Sequence, residues 1–335
     1  MLSLYEILKK LYTVDSPSGF EANMAKLIRE ILGEGSFSFN TDPLGNLIVN
    51  KKGVGKKCIL DAHMDTTGFL ATFIDDNGFI RADQLGGLSV CDLHNTPVRF
   101  LNGKNGVISY EQKTKIADRK LSSFFIDIGA EDRESAKNSV LPGDAAVFSG
   151  KLTKLSGSKV TAPYLDNRIG CAILIYALLN LDECPYDIYA VFSTQEEVGL
   201  RGATVAAFGI DADFAIVLDV TDSCDTPSFD GFGETKLGSG AAIKIMDNSF
   251  IAHPAIISAL CETAEKEEIL YQRDIITIGG TDGGSIHMSK SGIPTGGISV
   301  PTRYIHSPCE MCDMKDAESA AKLLICALET QSIIL

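Results

Sequence analysis

Apolar positions recur at helical spacing near the start of the chain, then give way to short blocks bounded by turn residues. Leu4, Ile7, Leu8 and Leu11 share one face of a helix predicted over about 2–13. The turn cluster Ser16-Pro17-Ser18-Gly19 ends it, and a second helix is predicted over about 21–32. Strands follow at about 37–40, 47–50 and 58–61. From Thr66 to Lys159 the texture changes to β-like runs at 69–74, 79–82, 98–101, 106–109, 124–128 and 145–148, with one helix near 133–138. Turns such as Asp76-Asn77-Gly78, Asn102-Gly103 and Pro142-Gly143-Asp144 separate these runs, a pattern that predicts a small β-barrel or sandwich. From Tyr164 the α/β alternation returns. A strongly apolar helix is predicted at 169–181, strands at 188–192, 214–220, 242–245, 275–278 and 295–300, and helices near 201–208, 253–268 and 316–332. The simplest assembly is an α/β domain of residues 1–65 plus 161–335, interrupted by a β-rich insert of residues 66–160.

Composition narrows the function classes. The 335 residues are 45% hydrophobic and 22% charged, ordinary values for a globular chain. Lys and Arg number 30 against 44 Asp and Glu, a net charge of −14. That balance argues against a phosphate-backbone binder and against docking on an anionic membrane, so no nucleic-acid or membrane partner is expected. It also disfavours long-range attraction of strongly acidic peptides. No apolar run approaches transmembrane length. The start of the chain lacks a basic region ahead of an apolar one, which predicts a cytoplasmic protein. The nine cysteines, Cys91 among them, are scattered and mostly set in apolar runs, as expected of buried free thiols. The pair Cys309 and Cys312 has no second pair of matching spacing to complete a structural zinc site, so it reads as two ordinary thiols near a turn.

The candidate chemistry lies at strand ends, where sites form in open α/β sheets. His63 follows the apolar run 58–61, and His306 follows the run 295–300. Glu196 and Glu197 follow 188–192, Asp219 ends the next strand, and Asp166 precedes the helix at 169. Each alone also fits a structural role, such as a solvated acidic pair or an Asp at a helix N-cap. Together, two imidazoles and three carboxylates suit divalent zinc, cobalt or manganese. Three carboxylates nearly balance two dications, and one Asp has the two oxygens needed to bridge a two-metal site. Adjacent glutamates point in different directions, so one can bind metal while the other serves as general base toward water. Asp65, two residues after His63, can accept from the imidazole nitrogen that does not bind metal.

At these residues the chain resembles the M42 family of metallo-aminopeptidases, the glutamyl aminopeptidase and TET-like peptidases, some of which carry the name endoglucanase. The resemblance rests on Ala62-His63-Met64-Asp65, Leu165-Asp166-Asn167-Arg168, the run Gln195 to Ala203, Leu218-Asp219-Val220, Gly279-Gly280-Thr281-Asp282 and the run Arg303 to Pro308. It extends through Ile126-Asp127-Ile128-Gly129-Ala130 and Pro142-Gly143-Asp144 in the insert. It implies a mixed-sheet, phosphorylase/hydrolase-like zinc-peptidase domain with an inserted β-barrel used for dimerisation, and a homodimer or homododecamer. It implies two divalent ions per subunit, zinc or cobalt with manganese also possible. Asp166 would bridge them, His63 and Asp219 completing one position and Glu197 and His306 the other. Glu196 would be the general base, acting on a metal-bridging water, and Asp65 would orient His63. Short peptides would be the substrates, held by a free N-terminal amine.

Two departures stand out. Many members of the family carry an acidic residue after His-x-Asp, where this chain has Thr66 followed by Thr67. Gly279-Gly280-Thr281-Asp282 is followed by Gly283-Gly284, a loose loop by its composition, where a small residue such as Ala is expected. His287, His94 and His253 are read as structural or outside the site. The rival readings are an M20- or M28-type di-zinc deacylase, which prefers N-acylated substrates, and a non-catalytic assembly, which predicts loss of a ligand or of the base. A glycosidase reading needs two carboxylates flanking the scissile bond, and adjacent glutamates beside two histidines fit metal ligation better.

Overall fold

The protein is described from a computed structural model covering residues 2–89, 93–111, 115, 120–182, 184–229, 233–330 and 333. Cys91 lies outside the described residues. The strand Lys57–His63 has a near-continuous buried run, as expected of a strand covered on both faces. It lies parallel to Asp187–Ser193 on one side and to Phe214–Asp222 on the other. Phe214–Asp222 is in turn parallel to Thr295–Arg303. The carboxyl ends of these four strands therefore share one edge of the sheet. Outside them lie Leu47–Lys51 with Ser38–Thr41, and at the far side Glu310–Asp313, Lys159–Ala162 and Thr153–Lys154, while Ala241–Met246 and Tyr271–Ile275 branch from Thr295–Arg303.

Helices cover both faces. Leu165–Asn180 is apolar nearly all round and is buried along its length, between the sheet and the helices Leu4–Leu11 and Met314–Glu329. Leu4, Ile7, Leu8 and Leu11 face this core, and Ser3 closes the start of their helix with a capping box. Each such buried aliphatic side chain contributes roughly 1.5–3 kcal/mol of transfer free energy. The other face is covered by Arg201–Gly209 and the short helix Gly283–Ile286, packed on Ile59, Val191 and Val217.

Gly68–Ile74, Ile80–Leu85, Phe124–Asp127, Asn105–Tyr110, Thr96–Phe100 and Ala145–Phe148 close into a barrel in that order. It has its own core, centred on Phe69, Phe100, Ile126 and Phe148. The fold class is thus a mixed α/β sheet with a closed six-stranded antiparallel barrel inserted in the chain. One predicted strand is misplaced. Of the run at 275–278 only Ile275 is in a strand, 277–278 being a bend, and the strand is Tyr271–Ile275, a polar sequence that pairs with the buried Ala241–Met246. Ile275 and Ile278 are exposed rather than packed.

Candidate metal centre

Five segments converge on the shared edge. His63 is the last residue of its strand, Asp219 lies within Phe214–Asp222, and Glu196 and Glu197 occupy the turn after Asp187–Ser193. His306 sits in the turn between Thr295–Arg303 and Glu310–Asp313, with a left-handed backbone at φ 62°. Asp166 and Asn167 depart from helical geometry at the head of Leu165–Asn180, which lets the Asp166 side chain face the strand ends.

Asp166 lies between the two histidines. Its Oδ1 is 3.1 Å from His63 Nε2, and its Oδ2 is 3.2 Å from His306 Nε2. His63 Nε2 is also 3.8 Å from Asp219 Oδ1, and His306 Nε2 is 3.2 Å from Glu197 Oε2. Ligand atoms of His63, Asp166 and Asp219 form one group within 4.8 Å of one another, and those of Asp166, Glu197 and His306 form a second. Glu196 belongs to neither group. Its Oε2 faces the same space, 3.9 Å from His63 Nε2. On the other side of the His63 ring, Nδ1 lies 3.2 Å from the Asp65 carbonyl oxygen and 3.4 Å from its carboxylate.

The electrostatics call for positive charge. Burial alone would lower both histidines, yet the carboxylates around them outweigh it and hold both well above the ordinary range. Burial pushes Glu196, Glu197 and Asp219 up, while His306 and His63 pull Asp166 down against its own burial. Glu197 Oε1 is buried with no hydrogen-bond partner. A buried set of carboxylates and imidazoles with an orphaned oxygen, and no Lys or Arg among the described residues lining the cavity, is the donor chemistry that two divalent cations satisfy.

Second to the ligating groups are residues the sequence did not single out. Four consecutive N–H groups of the Glu196–Glu197 turn donate to side chains from elsewhere: Thr194 to Asn46, Gln195 to Glu21, Glu196 to Asp65 Oδ1 and Glu197 to Asp65 Oδ2. Ser18, from the early turn cluster, donates its hydroxyl to Asp65 at 2.7 Å. Glu310, buried, accepts from the backbone N–H groups of Asp166 and His306. All of these but Ser18 act on backbone N–H groups, which leaves no residue-type pattern to find. For Glu310 the only signal is its place four residues after His306, between two cysteines that drew attention instead. Cys312 is buried, Cys309 is exposed, and neither belongs to the metal-holding groups found among the described residues.

Other candidates stay apart. His287 Nδ1 lies 2.9 Å from the Gly283 carbonyl, His94 packs on Tyr110 in the barrel, and His253 precedes Pro254–Lys266. Gly283-Gly284 is not a loose loop. A Cβ at Gly283 would lie 2.5 Å from the Phe250 ring, and one at Gly284 2.4 Å from Ser249 Cβ, so alanine would not fit. Asp282 reaches under the sheet edge, where Ser193 donates to it at 2.6 Å. Gly86 and Gly87, just past the barrel strand Ile80–Leu85, run beside the site. A Cβ at Gly86 would lie 2.9 Å from Glu197 Oε2, and one at Gly87 3.4 Å from His306 Nδ1.

The chain has relatives in sequence and in fold. A sequence profile of the M42 glutamyl aminopeptidases matches residues 45–323. A putative aminopeptidase of Acetivibrio thermocellus is 44% identical over 97% of this chain and 98% of its own. The lysyl aminopeptidase of Pyrococcus furiosus is 32% identical over 97% of this chain and 96% of its own. The solved TET1 peptidase of Pyrococcus horikoshii, described as able to assemble into a tetrahedron or a large octahedral shell, superposes with a TM-score of 0.86 at 31% identity over 97% and 99% of the two chains. With a profile match across most of its length and full-length relatives that share its sheet and barrel, this chain belongs to the M42 aminopeptidase family and is a peptide hydrolase.

Proposed function

We propose that the protein is a two-metal aminopeptidase that removes the N-terminal residue of short peptides. The observation that carries this reading is Asp166, whose two oxygens face His63 and His306 at 3.1 and 3.2 Å. Asp166 would hold both ions, His63 and Asp219 completing one position and Glu197 and His306 the other. Bound there, zinc or cobalt, or else manganese, would supply Lewis acidity to the scissile carbonyl and to the attacking water.

The remaining steps belong to the chain. Glu196, outside both ligand groups, takes the water proton and delivers it to the leaving amine nitrogen. Its burial raises its carboxyl, so it holds a proton more readily than a solvated glutamate. Asp65 faces Nδ1 of His63 and fixes the ring so that Nε2 points into the site. The same carboxylate takes the N–H groups of Glu196 and Glu197, so one residue orients a ligand, the base and a second ligand. The barrel is the proposed dimerisation element, and a homodimer or homododecamer the proposed assembly. A cytoplasmic location fits the free cysteines found among the described residues, and no described helix is long and apolar enough to cross a membrane.

The test is turnover of aminoacyl-p-nitroanilides by chelator-stripped protein before and after addition of zinc or cobalt. Restored cleavage of free-amine substrates supports the reading. Cleavage confined to N-acylated substrates would replace it with a deacylase.

A further inference from the structure

The cavity in front of the candidate centre, about 540 Å³, has a wall that the hydrolytic chemistry does not use. Val220, Ile276, Ile278 and Ile305 line it, and Ile278 is 81% exposed, leaving its side chain open to contact by a bound ligand. Asp222 closes the strand that carries Asp219 and lines the same cavity. Its carboxylate has no hydrogen bond or ion pair among the described residues, unlike Asp225 nearby, which is held by Arg303. Lys244, which acts on it electrostatically, is engaged with Asp274. Among the described residues, no Lys or Arg lines the cavity.

An aliphatic wall ending at an unengaged carboxylate matches a side chain with a methylene stem and a cationic head. A purely aliphatic side chain would use the wall and leave Asp222 unanswered. An acidic one would meet Asp222 with like charge and find no counter-ion among the described residues that line the cavity. Resting on the aminopeptidase reading of the site, we propose that Asp222 determines specificity and that the preferred substrates are peptides with N-terminal Lys or Arg. The stem would lie along Ile276, Ile278 and Ile305, and the cation would meet Asp222.

The experiment is kcat/KM of the full-length, cobalt-loaded protein on lysyl-, leucyl- and glutamyl-p-nitroanilide, with Asp222→Asn and Asp222→Lys alongside. The expected order is lysyl, leucyl, glutamyl. Asp222→Asn should lower the lysyl-to-leucyl ratio at least tenfold, and Asp222→Lys should raise the glutamyl-to-lysyl ratio above that of the unaltered protein, which a merely structural role would not do. A native preference for leucyl, or ratios unmoved by either substitution, would overturn the proposal while leaving an aminopeptidase. Absence of turnover on all three substrates would overturn the aminopeptidase reading as well.

Discussion

Glu310 accepts the backbone N–H of Asp166 at 2.8 Å, from a strand that carries no candidate ligand of its own. Its other oxygen takes the N–H of His306 at 2.9 Å, so one carboxylate holds the backbone of two residues that face each other across the centre. A glutamine there keeps the shape but only one accepting oxygen. Glu310→Gln should weaken cobalt binding about 10–100-fold, the usual effect of losing an outer partner. Calorimetric titration of the stripped protein checks this, and unchanged affinity would remove the brace from the account.

Glu196 is the residue whose loss should separate binding from turnover. Glu196→Gln should retain both ions, since Glu196 lies outside the two ligand groups, yet lose about 10²–10⁴ in kcat. Metal content and turnover measured on one preparation decide it. A variant that keeps full activity shows that the base is elsewhere.

Lys244 and Asp274 form an ion pair sealed from solvent, with Thr221 bonded to both. Lys244→Met leaves a buried carboxylate without its counter-charge and should cost about 3–5 kcal/mol in urea unfolding. Adding Asp274→Leu should recover part of that loss. If the single variant is as stable as the native chain, the ion pair does not contribute to stability.

Arg303 grips Asp225 through Nε and Nη2 at 2.7 and 2.6 Å, tying the strand before His306 to the segment after Asp222. Burial alone would raise the Asp225 carboxyl, but Arg303 and Ser223 bring it down to about 2. Because the folded value lies below the unfolded one, the stabilisation is fully present above about pH 4 and is lost as the pH falls toward 2. Asp225→Asn should therefore lower Tm at pH 7 and converge with the native protein in acid. Thermal melts across that range test it, and a difference that is independent of pH would contradict it.

How much of this was legible in the sequence depends on the kind of atom doing the work. His63, Asp166, Glu197, Asp219 and His306 are the proposed ligands through side chains of scarce or charged types, so their placement at strand ends, or before a helix for Asp166, marked them. Glu310, Ser18, Asn46 and Glu21 act on backbone N–H groups or on another side chain, and the partner in the chain can be any residue. The same limit governed the fold. Buried central strands such as Phe214–Asp222 were visible because both faces are apolar, whereas Tyr271–Ile275 pairs through a ladder that its polar side chains do not advertise. The short strands Lys159–Ala162 and Glu310–Asp313 were unread for that reason.

Gly86, just past the barrel strand Ile80–Leu85, has a mechanical consequence. A side chain there would come within 2.9 Å of Glu197 and of Thr67, so the insert passes hard against one carboxylate of the centre. A tilt of the barrel toward the sheet would be felt as pressure on Glu197. The insert thus works as a gauge block: the position of that carboxylate is set by how the barrel is seated, and whatever grips the barrel from outside sets it too.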